Sequence, residues 1–398
     1  MERLIELFRR KIAVTSLDFV RSMEQTIPWD ARLVGLRGAR GIGKTTLFLQ
    51  HIKKHFEHDL SKVLYVSLDN LWFTEHSLLE LADTFYKQGG THLFLDEVHK
   101  YPQWSVAVKN LYDDYPELHI AFTGSSLLEI LDARADLSRR AVVFNMQGLS
   151  FREFLMLRTG KFFPLYKLQD ILENHERIAQ EIVSQVHPYQ YFSEYQRLGY
   201  YPYFLESIDT YFIRLEETIN MILEIELPQL RHIEVASIPK IKRLLGVIAE
   251  SAPFIPNITK LSEHVGIHRH TVLAYLQALH EAKLIYALYR NAHGIGALQK
   301  PEKIYLENTN LMYLLKGDSV EIGTIRETFF ANQVSQNHTI EYTESGDFLI
   351  DGHVTVEVGG KHKTRKQIQH IQDAYIASDN LEYGYDKKIP LWLFGFLY

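Results

Sequence analysis

The chain has 398 residues, 46% of them hydrophobic, which is enough for about two to four domains with sizeable cores. Its 43 Lys and Arg residues against 49 Asp and Glu give a net charge of -6, so nucleic-acid binding would need a local basic patch. Because there is no cysteine, disulfide scaffolds and Cys-ligated zinc are excluded. No apolar run is as long as a membrane span, and the first residues lack a signal-peptide core, which predicts a cytoplasmic protein with no membrane partner.

Helices and strands alternate along the first 150 residues. Apolar residues at roughly helical spacing predict a helix over residues 1 to about 30. Apolar strands are predicted near residues 33, 63, 91 and 119, with helices between them and a further strand near 141. This alternation predicts an α/β fold with a parallel sheet that binds phosphates at the carboxyl ends of its strands.

The segment from Gly38 to Thr45 matches the Gly-x-x-x-x-Gly-Lys-Ser/Thr phosphate loop and lies between a predicted strand and a predicted helix. Its glycines let backbone N–H groups turn toward a polyphosphate, and the helix start adds its positive dipole end. Lys44 is expected to reach the β- and γ-phosphates of ATP, and the Thr45 hydroxyl to bind the bridging Mg²⁺. The predicted nucleotide-binding residues of this segment are Gly38, Ala39, Arg40, Gly41, Ile42, Gly43, Lys44, Thr45 and Thr46.

Two carboxylates follow the predicted strand at residues 91–95, in the pattern called Walker B. Asp96 is expected to hold the magnesium shell, and Glu97 to orient or deprotonate the attacking water. The next strand ends in Thr-Gly-Ser-Ser at 123–126, where Thr123 or Ser125 is predicted to sense the γ-phosphate or position water. Further on, Arg139 and Arg140 are either an arginine finger for the transition state or an ordinary surface pair.

Five motifs together resemble one family. They are the phosphate loop, Leu-Asp-Glu-Val-His at 95–99, Thr-Gly-Ser-Ser, Arg139-Arg140, and Gly-Leu-Ser-Phe-Arg-Glu-Phe at 148–154. This set is similar to the AAA-type ATPases of the AAA+ superfamily from bacteria and archaea that carry an uncharacterised C-terminal domain. The resemblance implies ATP and Mg²⁺ as ligands, arginines acting at subunit borders of a homo-oligomer, and a helical lid. The lid signature Gly-Gly-aromatic-Pro corresponds here to Gly199-Tyr200-Tyr201-Pro202, which would place Pro202 near the nucleotide but lacks the second glycine.

The predicted domains are a P-loop ATPase core at 1–150, a helical lid at 151–235, a winged helix at 236–290 and a restriction-endonuclease-like α/β domain at 291–398. The winged helix is predicted from three helices and a strand at 284–288. In a DNA reader, the start of its third helix would face a groove of double-stranded DNA, through His268, Arg269, His270, Thr271 and Tyr275. Winged helices also bind proteins, so the partner stays open between DNA and protein.

The sequence of the last domain predicts a hairpin with an Asp351-Gly352 turn, a helix at about 365–376 and a closing strand at 389–397. Its resemblance to nucleases implies an acidic cluster of Glu327, Asp347 and Glu357 with a lysine, here Lys361. A working site needs the lysine two residues after the glutamate, where this chain has glycine. A two-residue turn would also put Asp347 and Glu357 on opposite faces unless a bulge intervenes. The sequence therefore predicts a binding or structural role without cleavage.

These observations predict an ATP-binding, Mg²⁺-dependent ATPase whose nucleotide state controls its C-terminal half. One alternative is a nucleotide switch of the signalling type, which binds a protein partner and hydrolyses ATP slowly or not at all. Another is an ATP-coupled enzyme that binds or processes DNA. Stimulation of ATP turnover by DNA distinguishes the two.

Overall fold

The computed structural model describes residues 1–125, 137, 139–290 and 299–398, and it divides into two compact units, Met1–Gln147 and Gly148–Tyr398. Ser126, the last residue of the Thr-Gly-Ser-Ser motif, lies outside the described residues, as do residues 291–298. The four predicted domain boundaries stay predictions. Within the described ranges, no helix combines the length and the apolar character needed to cross a membrane.

The Met1–Gln147 unit is an α/β layer structure, as predicted. Its parallel sheet has five strands in the order β2-β3-β4-β1-β5. Its elements are α1 (Glu2–Val14), β1 (Leu33–Gly38), α2 (Lys44–Phe56), β2 (Val63–Ser67), α3 (Leu78–Lys87), β3 (His92–Asp96), α4 (Trp104–Asp114), β4 (His119–Ser125) and β5 (Val142–Met146). The central strands are apolar because helices cover both faces of a parallel sheet.

The first helix is shorter than predicted and ends at Val14. Beyond it, the Ser16 hydroxyl donates to Asp18 Oδ2 (2.8 Å) and accepts from the Asp18 N–H (3.0 Å). Such local side-chain bonds compete with helical ones, so the helix stops there. A short 3₁₀ turn follows at Ser22–Gln25.

The Gly148–Tyr398 unit begins with helices and ends with a mixed sheet. Its helices are α5 (Phe151–Thr159), α6 (Leu168–Val183), α7 (Tyr189–Leu198), α8 (Tyr211–Met221), α9 (Leu227–Arg231), α10 (Ile238–Ser251), α11 (Ile258–Val265), α12 (Arg269–Glu281), α13 (Thr309–Lys316) and α14 (Ile322–Val334). A π-helix at Ile222–Glu226 joins α8 to α9. Strands β6 (Ile285–Leu288) and β7 (Lys303–Leu306) form an antiparallel pair that follows α10, α11 and α12 along the chain, and the winged helix stays a prediction.

The mixed sheet has the order β12-β11-β10-β9-β8. Its strands are β8 (Ile340–Glu341), β9 (Phe348–Ile350), β10 (Val354–Gly359), β11 (Ala374–Ser378) and β12 (Lys388–Pro390). Two expectations were wrong: residues 365–376 hold a 3₁₀ turn at Arg365–Gln367 and then β11, and the closing segment after Pro390 is a 3₁₀ helix, Leu391–Phe396. The closing segment is buried on all sides, and a short apolar run of that kind does not distinguish strand from helix by periodicity.

Candidate nucleotide-binding site

The phosphate loop leaves β1 at its carboxyl end and enters α2 directly. Gly41 and Gly43 have φ angles of 79° and 97°, in the left-handed region that a side chain disfavours. A Cβ on Gly38 would lie 2.3 Å from the Met146 carbonyl oxygen, so only glycine lets β1 and β5 approach here. The buried Lys44 donates to the carbonyl oxygens of Gly38 (2.8 Å) and Ala39 (2.9 Å), which curls the loop around its ammonium.

Asp96, at the end of β3, is the centre of a hydroxyl cluster and is only 2% exposed. Its Oδ2 accepts hydrogen bonds from Thr45 Oγ1 (2.7 Å) and from the Tyr65 hydroxyl (2.6 Å), and its Oδ1 accepts one from Thr123. Burial, together with the negative charge of Asp96, raises the pKa of Tyr65 well above its usual value, so Tyr65 is a fixed donor. Thr45 Oγ1 and Asp96 Oδ2 are separated by little less than the edge of a magnesium octahedron, about 3 Å. These two oxygens therefore fit Mg²⁺.

Glu97 is directed differently from Asp96 because its backbone is left-handed, with φ 54° and ψ 44°. Its N–H donates to Thr123 Oγ1 (3.1 Å), and its Oε2 lies 3.4 Å from Nε2 of the buried His99. A left-handed non-glycine residue is strained, and such strain clusters at functional sites. The two carboxylates therefore have different surroundings: that of Asp96 is placed to bind a cation, and that of Glu97 is placed to contact a water molecule.

The sequence arguments missed Tyr65 and His99. Tyr65 lies in the apolar strand β2, on the same face as Ser67, which is in register with Asp96. A buried tyrosine hydroxyl usually needs a hydrogen-bond partner, so a tyrosine in a buried strand could have indicated a polar site at that position. His99 follows the acidic pair by two residues, but its approach to Glu97 depends on the left-handed turn, which the sequence did not reveal.

Arg139 and Arg140 lie before β5, and therefore at the edge of the sheet opposite to the phosphate loop. Arg139 is exposed. Arg140 pairs with Asp113 at the end of α4 through two hydrogen bonds of 3.0 and 3.1 Å. The remaining predicted contacts are simpler: Thr46 is exposed in the first turn of α2, and Pro202 begins a 3₁₀ turn in the Gly148–Tyr398 unit. Their roles stay predictions.

The start of α12 exposes His268, Arg269 and His270. Tyr275 was expected to face a groove as well, but it is buried because the inner face of α12 packs into the core of its unit. A nearby basic residue, Lys283, lies 3.4 Å from the buried carboxylate of Glu307.

In the C-terminal sheet, the expected strand register was wrong. Ile350 pairs with Val354, so the hairpin loop contains residues 351–353 and is one residue longer than a two-residue turn. Continued by one residue beyond the Phe348–Val356 pair, this register would put Asp347 opposite Glu357, on the same face of the sheet. The Val358 N–H donates to Asp347 Oδ2 at 2.8 Å. Burial and the nearby Glu327 raise the pKa of Asp347 to about 6.

The prediction that Lys361 is the lysine of the acidic cluster was also wrong. Lys361 is exposed, whereas Lys363 Nζ lies 2.6 Å from Glu357 Oε1, because the chain folds back after Gly359 and Gly360. Lys303 similarly lies 2.7 Å from Glu327. In the part of the chain that the structure describes, these acids do not bring three ligand atoms within 4.8 Å of one another.

Comparison with known proteins supports the assignment of the nucleotide site. A family profile described as an AAA domain matches residues 30–155, and a second profile, described as a domain of unknown function (DUF8612), matches residues 189–321. An uncharacterized protein of Methanocaldococcus jannaschii is 24% identical over 391 residues, which cover 90% of this chain and 81% of that protein. The AAA match contains the whole cluster from Gly38 to Thr123, so this site lies within the region that resembles an AAA domain.

Solved structures also show similarity. AMPPCP-bound DnaA from Aquifex aeolicus is 14% identical, with 70% of this chain and 87% of that chain covered and a TM-score of 0.28. PCH-2 of C. elegans is 22% identical, with a TM-score of 0.23 and 39% of this chain covered. The alignment spans 45% of the PCH-2 chain, less than half of its length.

Proposed function

We propose that this protein binds ATP with Mg²⁺ at the Gly38–Thr46 loop and hydrolyses it, and that the nucleotide state controls the C-terminal half. The observation that carries the proposal is the convergence of Thr45 and Asp96, 2.7 Å apart, beside Glu97 inside the AAA match. An accidental phosphate-loop pattern would not be accompanied by a magnesium-compatible oxygen pair and a second, separately oriented carboxylate.

Each residue has a distinct task in this reaction. Lys44 exchanges its two carbonyl partners for phosphate oxygens, and Thr45 and Asp96 hold Mg²⁺, which neutralises phosphate charge when bound. Glu97 accepts a proton from water while the water oxygen attacks the γ-phosphorus and the bond to ADP breaks. His99 positions the Glu97 carboxylate.

Steady-state ATP turnover and nucleotide binding test this proposal. We expect Lys44→Ala to weaken ATP binding, because a buried charge-assisted contact to phosphate is lost. Glu97→Gln should keep binding but lower turnover by about 10²-fold or more, since only proton transfer is removed. Glu75→Gln, an exposed acid in the same unit, is the matched control. Hydrolysis at the wild-type rate by Glu97→Gln would show the Walker B assignment to be wrong.

For the C-terminal half we propose double-stranded DNA as the partner, through the exposed start of α12 and the exposed Lys260 of α11. The double variant Arg269→Ala/Lys260→Ala should bind DNA more weakly and lose about two units of salt slope, because each lost phosphate contact removes about one. Arg177→Ala/Lys161→Ala removes the same charge from exposed sites elsewhere in this unit and is the control. Equal affinity of both double variants, measured by fluorescence anisotropy at several salt concentrations, would favour a protein partner instead.

A further inference from the structure

A cavity of about 420 Å³ lies at the amino ends of β3 and β4, where those strands begin with His92 and His119. Because the sheet is parallel, this edge is opposite to the phosphate loop, so the cavity is separate from the nucleotide site. Its wall contains four imidazoles and two acids, contributed by His51, His55, His92, His119, Glu24 and Asp30.

Three of these side chains meet around one oxygen. Glu24 Oε1 lies 3.0 Å from His51 Nδ1 and 3.1 Å from His55 Nε2. All three ligand atoms lie within 4.8 Å of one another. A tetrahedral ion with ligands at about 2.0–2.1 Å keeps ligand atoms about 3.3 Å apart, so only small movements separate this cluster from a coordination sphere.

We propose that Glu24, His51 and His55 bind a divalent transition-metal ion such as Zn²⁺, with a fourth coordination position open to the cavity. Two imidazoles and one carboxylate are a ligand set that Zn²⁺ accepts readily and that Mg²⁺ does not favour.

The fold holds the three ligands in place. His51 and His55 are four residues apart on α2 and therefore lie on one face of that helix. Glu24 lies in the 3₁₀ turn Ser22–Gln25, whose position is fixed by the Trp29 indole N–H donating to the Glu24 carbonyl oxygen at 2.9 Å. Trp29 also stacks on the His51 ring at 3.9 Å, which orients the imidazole.

Lys54 occupies the other oxygen of Glu24, with Nζ 2.9 Å from Oε2. It leaves Oε1 to the histidines and orients the carboxylate, as outer-sphere partners of metal ligands commonly do. Its side chain is 43% exposed, so the ammonium can move toward water when an ion adds positive charge. The His55 side chain is 46% exposed, so water alone could satisfy its hydrogen bonds. Its contact with Glu24 is therefore not needed to compensate for burial.

The ion would connect the 3₁₀ turn to α2, the helix that begins with the phosphate-binding Lys44. His51 lies about two turns beyond that lysine. Metal binding should therefore stabilise the Met1–Gln147 unit whether or not ATP is hydrolysed.

The test uses the full chain, stripped with a chelator that is then removed, in buffer with excess Mg²⁺ so that oxygen-only sites are occupied. Zn²⁺ is titrated by calorimetry, and Co²⁺ is used as a spectroscopic probe because tetrahedral Co²⁺ absorbs visible light strongly. We expect one ion per chain, a rise in melting temperature with Zn²⁺, and an affinity at least about tenfold weaker in His55→Gln. The control is His58→Gln, an exposed histidine on the turn after α2 that is not part of the cluster.

Because His51 is buried, His51→Ala can fail to fold, and His55→Gln with its circular dichroism spectrum keeps the test decisive. Equal Zn²⁺ affinity and an equal Co²⁺ spectrum in wild type and His55→Gln would overturn the proposal. So would the absence of any Zn²⁺ binding by folded wild-type protein at micromolar concentrations. A loss of binding in His55→Gln but not in His58→Gln supports it.

Discussion

Two carboxylates of this protein, Asp96 and Glu307, are almost completely buried but have different partners. Asp96 accepts hydroxyl hydrogen bonds and faces a site that suits a cation. Glu307 is 1% exposed, and its ion-pair partner is Lys283, 3.4 Å away. Burial raises the pKa of Glu307, and Lys283 acts in the opposite direction. Lys283 therefore has a structural role, as the ion-pair partner of a buried carboxylate.

We expect Lys283→Ala to lower the free energy of unfolding by about 1–3 kcal/mol at pH 8, because removing one partner leaves a buried charge uncompensated. Because the pKa of Glu307 is raised in the folded state, the free energy of unfolding falls as the pH rises above the ordinary pKa of the group, 4.5. Without Lys283, this fall in the free energy of unfolding should be larger. The defect should therefore shrink toward pH 4.5 and below. Glu307→Gln should restore the stability of Lys283→Ala, whereas Lys300→Ala, an exposed control, should change little. Denaturant melts at several pH values measure this, and a defect independent of pH would contradict it.

At the scale of elements, the β9–β10 hairpin decides where the acids of the C-terminal sheet lie. Its loop residues Asp351 and Gly352 have φ angles of 50° and 75°. Asp351 is further held by the Thr339 N–H, which donates to its Oδ1 at 2.9 Å. The three-residue loop moves every side chain of β10 to the other face, compared with a two-residue turn. One of the two obstacles to a nuclease site is thus removed.

The prediction that this region does not cut DNA remains, for a different reason. Lys363 contacts Glu357 directly and Lys303 contacts Glu327, so both acids are neutralised by lysines. We expect no Glu357-dependent cleavage of supercoiled plasmid in Mg²⁺ or Mn²⁺. The matched control is Glu344→Ala, an exposed acid of the same region. Nicking by wild type and Glu344→Ala that disappears in Glu357→Ala would contradict this expectation.

Elements whose pattern is determined locally were predicted well. The phosphate loop and the strand before Asp96 follow from glycine chemistry and from apolar runs that a parallel sheet requires. Elements that depend on tertiary contacts were not: the strand β11 was expected as helix, and the register of β10 depended on one loop residue. The same limit applies to the site, because the approach of Lys363 to Glu357 needs a chain reversal that spacing along the sequence does not reveal.

For the whole molecule, the direction of the parallel sheet separates two sets of functional candidates. The carboxyl edge of the sheet carries the phosphate loop, Asp96 and Glu97, whereas the amino edge carries Arg139, Arg140 and the histidine cavity. An arginine at the amino edge lies at the opposite edge of the sheet from the phosphate loop of its own unit. If either arginine acts on a γ-phosphate, it must therefore act on that of a neighbouring copy.

This argument leads to a prediction about mixtures of variants. Arg139→Ala/Arg140→Ala lacks the finger but keeps Glu97, and Glu97→Gln lacks the base but keeps both arginines. Each should hydrolyse ATP slowly alone, whereas a mixture should recover part of the activity, because a Glu97→Gln copy supplies its arginine to a neighbour with an intact Glu97. The recovery should rise with protein concentration, since it requires association.

The control for this mixture is Asp113→Ala, which breaks the ion pair of Arg140 but keeps the arginine. If the pair only holds the segment before β5 in place, Asp113→Ala should be as inactive as the arginine variant. If Arg140 leaves Asp113 to act on a neighbour, Asp113→Ala should hydrolyse ATP at least as fast as wild type. Mixtures that stay inactive at every concentration, together with a wild-type specific activity that does not change on dilution, would assign Arg139 and Arg140 a structural role.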